Sequence, residues 1–330
     1  MRRQLFLDAV TRQNRTGTAV FGTGTSIVCM ELMQELDVFF PDAHLDAEKM
    51  TALAMAGHTV LGFDVVMPLF SVCHEAAAMG CNVNWGAMDR MPESGPPLYR
   101  EPEDIRIPAD LLQRPGCAVP LQAIARLRQR LGNSAAVCGK VFGSWTQSYH
   151  YFGLENFLVM TIEAPDKVHR ILDRLMPVTL QFARAQVEAG ADCLLLADHA
   201  TRDLCSPQAY AVFLQERHQQ LAAEIDVPLI LHICGNTGDR IRYIRETGLA
   251  CFHYDTKTGS PETIRGLAGE SLALMGGISN LRLLDSTAAE IGADSRAAQA
   301  ADIDIVGPEC AVPLATPLAN LKAIAAKRNP

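Results

Sequence analysis

Eight short apolar runs, each ending in Gly, Pro or polar residues and each followed by a longer stretch of helical period, constrain this chain more than any other feature. They are TAVFGTG near Thr18, DVVMPLF at Asp64, AAVCGKVFG at Ala135, DCLLLADH at Asp192, PLILHICG at Pro228, ACFHYDT at Ala250, SLALMGG at Ser271 and DIDIVGPEC at Asp302. The intervening segments predict helices over Asp46 to Leu61, Pro120 to Leu131, Pro165 to Ala189, Ser206 to Glu224, Asp239 to Thr247, Pro261 to Leu267, Ser286 to Ala301 and Thr316 to Lys327. Strands that are continuously apolar need cover on both faces, so the alternation predicts a parallel sheet between helices. Eight such units in 330 residues predict a (β/α)8 TIM barrel, a single domain over residues 1–330. A doubly wound open sheet is the runner-up. Residues 82–116, long, polar and proline-bearing, read as a surface insertion between units two and three, either a lid or a peripheral decoration.

A net charge of −8 argues against a nucleic-acid surface, which needs clustered Lys and Arg. No apolar run approaches the roughly 20 residues that span a bilayer. The start MRRQLFLDAVTRQNRTG carries an arginine pair, but polar residues follow where an export signal needs an apolar core, so it reads as a short amphipathic helix. Ten cysteines scattered among apolar neighbours fit a reducing, cytoplasmic setting. The oligomeric state stays open, a homodimer included.

Residues i and i+2 of a strand share a face. His232 and Cys234 therefore point the same way at the carboxyl end of the fifth predicted strand, where a barrel keeps its active site. Imidazole and thiolate together suit zinc. A bare H-x-C pair is weak evidence and needs a third ligand. Cys310 is the best donor, since it follows the eighth strand in a loop shaped by Gly307, Pro308 and Pro313; one His and two Cys leave a fourth position open, as catalytic zinc sites do. Asp198 and His199 end strand four, and His253 and Asp255 end strand six. Each reads either as a site residue or as a cap or hydrogen-bonding residue. No third glycine completes a dinucleotide loop in FGTGTSIV, and neither a G-x-x-x-x-G-K-[ST] loop nor a G-x-S-x-G elbow is present. GGISN, Gly276 to Asn280, is an anion loop or a tight turn.

With these residues in view, the chain resembles the uroporphyrinogen decarboxylase superfamily, and within it the cobalamin-dependent methyltransferases that methylate a thiol such as coenzyme M or, in relatives, tetrahydrofolate. The carriers are the segment from Phe39 to Cys81, DHATRDLCSP, HICGNT and GPECAVPLATPLANLKAI. The resemblance implies zinc on His232, Cys234 and Cys310, with Asp255 matched to an additional acidic ligand. It also implies methylcobalamin supplied by a partner corrinoid protein, because no D-x-H-x-x-G signature is present. Asp198, His199 and Asp255 are the expected catalytic residues around the acceptor. The arginine-bearing segment of the decarboxylases is absent: no arginine lies between Arg15 and Arg90, so a porphyrinogen would lack its cationic partners. His199 and Arg202 stand where thiol-methylating members have small residues, which keeps tetrahydrofolate as an alternative acceptor. A non-catalytic zinc- or corrinoid-binding protein is the reading from a different class.

Overall fold

A computed structural model describes residues 2–14 and 16–326. Seven of the eight apolar runs form one parallel sheet: β1 Val65–Val66, β2 Ala136–Phe142, β3 Cys193–Ala197, β4 Leu229–Ile233, β5 Cys251–Tyr254, β6 Ala273–Ile278 and β7 Ile305–Pro308. Their spatial order follows their sequence order. Each strand is separated from the next by helix, and the right-handed twist curls such a sheet.

The first run departs from expectation. It makes one isolated bridge, Phe21 to Val306, and no ladder. Gly22 donates to the Val306 carbonyl at 3.0 Å, Val306 to Val20 at 2.9 Å, and Asp64 to Phe21 at 2.8 Å. Residues 20–22 thus hydrogen-bond to β7 on one side and to the start of β1 on the other. Gly22 and Gly24 have no side chains with which to pack an extended strand, so the run ends after one bridge.

The helices Ala47–Thr59, Pro165–Glu188, Pro261–Ala268 and Ala288–Ala300 lie where the periodicity places them. The helix predicted from Pro120 starts at Pro115, its first-turn proline, and carries Pro120 inside. The segment predicted over Ser206 to Glu224 is two helices, Pro207–Phe213 and Gln215–Glu224, and the last helix is short, Leu318–Ile324. Lys327 lies outside the described residues. Helices Met30–Leu36, His74–Met79, Ser144–Phe152 and Leu154–Glu163 were not expected; SWTQSYHYF is rich in aromatic and polar residues with middling helix propensity, so no stripe announces it. Within the excursion, Val83–Asn84 and Glu93–Ser94 form a small antiparallel pair, and the Tyr99 ring lies tilted against those of Tyr151 and Phe152, each with centroids 6.0 Å away.

The N-terminal helix Arg2–Val10 buries Phe6, Ala9 and Val10. Its arginine pair is used for ion pairing: Arg2 reaches Asp64 at 3.4 Å and Arg3 reaches Asp192 at 2.7 Å, both at the amino ends of strands. Among the described residues, no helix is long and apolar enough to cross a membrane.

Strand β1 is only two residues long, so it pairs with just Ala136 and Val137 of β2. Side chains serve the rest of that edge. The Gln186 amide accepts from Lys140 N–H and donates to the Lys140 carbonyl, both at 2.9 Å. Glu75 accepts from Phe142 N–H at 2.8 Å, while Gln147 and Thr179 donate to the Phe142 carbonyl at 2.9 and 2.8 Å. Buried backbone groups require such partners wherever a ladder stops.

Candidate metal centre

Register and alternation decide which residues face the inside of the curled sheet. Phe142 is level with Ala197, Ala197 with His232, and His232 with His253. Partners in a parallel ladder point the same way, so these side chains share the inner face with every second residue along each strand. His232 and Cys234 are on it; Asp198 is not.

His232 is buried. Its Nδ1 lies 3.1 Å from the His253 carbonyl, and its Nε2 lies 3.0 Å from Cys234 Sγ. Donation from Nδ1 fixes the tautomer and turns the Nε2 lone pair toward the sulfurs, the usual outer support of a metal-binding imidazole. Cys234 Sγ is 3.2 Å from Cys310 Sγ, and both cysteines are free. The three donor atoms lie within 4.8 Å of one another. This is the group that can hold a metal ion, and it unites a strand end with a loop 76 residues away. The hydrogen bond from Cys234, with His232 nearby, holds the Cys310 thiol well below its ordinary range. That same contact, together with burial, holds Cys234 well above it.

Asp255 stands outside this donor group. Its Oδ2 accepts from Gly235 N–H at 2.8 Å and its Oδ1 from Lys257 N–H at 2.9 Å. It caps the turn Thr256–Thr258 and braces the chain just after Cys234. Gly235 has φ of +77°, and a Cβ there would meet Thr201 Oγ1 at 2.4 Å, so only glycine turns the backbone away at this point.

Asp198 points into the helical shell. Its Oδ1 accepts from Thr146 N–H at 2.8 Å and from Thr146 Oγ1 at 3.0 Å, and its Oδ2 lies 3.1 Å from His218 Nε2. A carboxylate at the first turn of helix Ser144–Phe152 satisfies an orphan donor there. His199 N–H donates to Thr146 Oγ1 at 2.7 Å. Among the described residues its half-buried imidazole has no hydrogen-bond partner; burial, then His232, lowers its pKa. His253, the other histidine at these strand ends, sets Nε2 2.8 Å from the Pro308 carbonyl and is buried, with its pKa pushed down to about 3.

Comparison with known proteins gives this geometry a context. The family model for uroporphyrinogen decarboxylase (URO-D) matches residues 1–329. The chain belongs to the uroporphyrinogen decarboxylase family. It is similar to a methylated-thiol–coenzyme M methyltransferase of Methanosarcina mazei, with 33% identity over 89% of this chain and 80% of that protein. It is also similar to the methylcobamide:CoM methyltransferase MtaA of Methanosarcina barkeri, 32% identical over 93% of this chain and 91% of the relative. A solved methyltransferase from Methanosarcina mazei superposes with a TM-score of 0.94 at 30% identity, covering 98% and 97% of the two chains.

In this member of the uroporphyrinogen decarboxylase family, three residues around the His232, Cys234 and Cys310 group escaped the sequence reading. Glu309, beside Cys310, accepts from Thr256 N–H at 2.8 Å and from Asn280 N–H at 2.7 Å, tying the cysteine loop to two neighbouring strand ends. Lys140 is buried on β2, its ammonium 5.3 Å from the centroid of the Phe142 ring. Glu75 is buried beside the same strand, one oxygen on Phe142 N–H and the other without a partner. A signal for Lys140 was available: it is the only Lys or Arg in the eight apolar runs.

Proposed function

We propose that this chain is a zinc-dependent methyltransferase that moves a methyl group from a methylated corrinoid protein to a small thiol acceptor such as coenzyme M. The observation that carries it is the His232, Cys234 and Cys310 donor group at the carboxyl end of the sheet, in a chain similar over most of its length to methylcobamide:CoM methyltransferases. Tetrahedral zinc with Zn–S of about 2.3 Å and Zn–N of about 2.0–2.1 Å sets donors roughly 3.5–3.8 Å apart. The present spacings of 3.0 and 3.2 Å are near these, and the soft sulfur-rich set would suit zinc.

Bound there, zinc would supply Lewis acidity that delivers a coordinated thiol as thiolate at neutral pH. The chain's own residues prepare this. His232 presents Nε2 because the His253 carbonyl holds Nδ1. Asp255 and Glu309 fix the turns that carry Cys234 and Cys310. His199 stands at the wall, where its imidazole can donate to or accept from the acceptor. With the methyl group supplied by a partner corrinoid, the acceptor sulfur would take it as a thiolate, and the chain's part is to hold that sulfur beside His232, Cys234 and Cys310. The corrinoid protein docks at the carboxyl rim.

The same reading takes the fold as a closed eight-unit barrel and a single domain. The bonds of residues 20–22 to both β7 and the start of β1 support closure, with residues 82–116 inserted after the second unit. The free cysteines fit a cytoplasmic setting.

The test is acceptor screening with methylcobalamin, following its absorbance and measuring zinc on the same sample. Methylation of thiols with stoichiometric zinc is expected. Methylation of tetrahydrofolate alone would move the function to the folate alternative, and inertness toward both acceptors would leave a binding protein.

A further inference from the structure

A buried cation without a counter-charge is costly and needs a reason. Among the described residues, three Lys or Arg side chains are buried: Lys140, Arg217 and Arg240. Arg217 is paired with Asp173 and donates to the Phe213 carbonyl at 2.7 Å. Arg240 is paired with Asp239 at 3.0 Å and donates to the Ala200 carbonyl. Lys140 has neither a carboxylate within ion-pair distance nor an acceptor for its ammonium; its one close companion is the Phe142 ring.

The position of that ammonium is specific. Lys140 lies two residues before Phe142 on the same inner face, and Phe142 is level with His232 across β3. By lying against the Phe142 ring, the side chain rises toward the level of the metal donors. The groups whose charge bears on it are Glu75, Cys310, Cys138 and Cys234. Burial pulls Lys140 down to about 8, while Glu75 and then Cys310 act to raise it. No carboxylate lies within ion-pair distance of the ammonium among the described residues, so an anionic ligand entering the chamber would be its direct counter-charge. The Lys140 backbone is clamped on both sides by Gln186, which fixes where the side chain starts.

We propose that Lys140 binds an anionic group, a sulfonate or carboxylate, at the far end of the thiol acceptor, and so selects short mercapto acids over neutral thiols. Strands β2 and β4 are two sheet spacings apart, about 10 Å, and a lysine side chain covers part of that gap. Two or three carbons between sulfur and anion cover the rest. This assignment rests on the thiol-acceptor reading above.

The experiment uses zinc-loaded full-length protein, wild type and Lys140→Met, with 2-mercaptoethanesulfonate, 3-mercaptopropionate and neutral 2-mercaptoethanol. Binding is measured by calorimetry and methyl transfer from methylcobalamin by absorbance. Wild type is expected to favour the anionic thiols. Lys140→Met is expected to raise their Kd and KM by about ten- to a hundredfold, the usual worth of a charged hydrogen bond, and to leave 2-mercaptoethanol within about twofold. Lys140→Arg is expected to keep the preference. The order of the two anionic thiols identifies sulfonate or carboxylate. Equal weakening of all three thiols would show that Lys140 serves only the metal-side thiolates, and no preference in wild type would show that no anion is read; either overturns the assignment. Lys140-dependent binding of the anionic thiols without methylation of any would uphold this site while the transfer reading fails. Unchanged zinc content and circular dichroism check the fold, with Lys140→Gln as the second variant.

Discussion

Asp255 takes the backbone N–H of Gly235 at 2.8 Å, which braces the turn that follows Cys234. Removal of such an outer support weakens metal binding by about 10–100-fold. Asp255→Ala is therefore expected to release zinc to a competing chelator at lower chelator concentration, with Asp255→Asn milder because its amide oxygen still accepts one bond. Wild-type zinc affinity in Asp255→Ala would remove this role.

Cys310 reaches the site from a loop, so its contribution is separable from that of the strand pair. In cobalt(II)-substituted protein, thiolate-to-cobalt charge-transfer absorption is expected to fall by about half in Cys310→Ser, as one of two thiolates is lost. A spectrum identical to wild type would exclude Cys310 as a ligand, and His232→Ala is expected to lower the bound-metal stoichiometry.

Asp198 and His199 are adjacent in sequence but have different consequences. Asp198 accepts three hydrogen bonds inside the helical shell, so Asp198→Ala is expected to cost about 3 kcal/mol in urea unfolding by leaving buried donors unpaired, with zinc content retained. His199→Ala is expected to change stability by less than about 1 kcal/mol while lowering kcat/KM for methyl transfer. The reverse pattern would exchange their roles.

Acid sensitivity is expected to come in part from His44. It stacks on Phe40 with centroids 4.0 Å apart, neither ring nitrogen has a partner, and burial, helped by Lys140, pushes its pKa down to about 3. The unfolded chain takes up this proton near pH 6.5, whereas the folded chain resists until about pH 3. Its contribution is complete above pH 6.5 and declines by about 1.4 kcal/mol per pH unit below it. His44→Phe is thus expected to be near wild type in urea at pH 8 and more stable at pH 5. An unchanged difference between the two pH values would contradict this.

The same alternation rule accounts for what sequence could and could not reveal. Applied to His232 and Cys234, it put both on one face, and the order of apolar runs brought Cys310 to the same end; all three meet. Applied across the ladder, it also turns Asp198 outward, because Ala197 is level with His232, but that register is visible only once the strands are paired. Glu309 was hidden for a related reason: its partners, Thr256 and Asn280, open short helical turns after two other strands, and no local pattern encodes their proximity. The absent eighth ladder strand reflects two glycines in TAVFGTG, where apolar content alone suggested a full strand.

The two-residue length of β1 has a consequence for how such a chamber can diversify. On the side facing β1, the upper part of β2, which carries Lys140 and Phe142, is held by side chains of Gln186, Glu75, Gln147 and Thr179, whereas its other side pairs with the β3 backbone. Main-chain pairing must be altered as a whole, but side-chain fastenings can be exchanged one codon at a time. The wall opposite the metal corner is thus built from replaceable fasteners, and substrate choice can drift there while the histidine and cysteine corner stays in place.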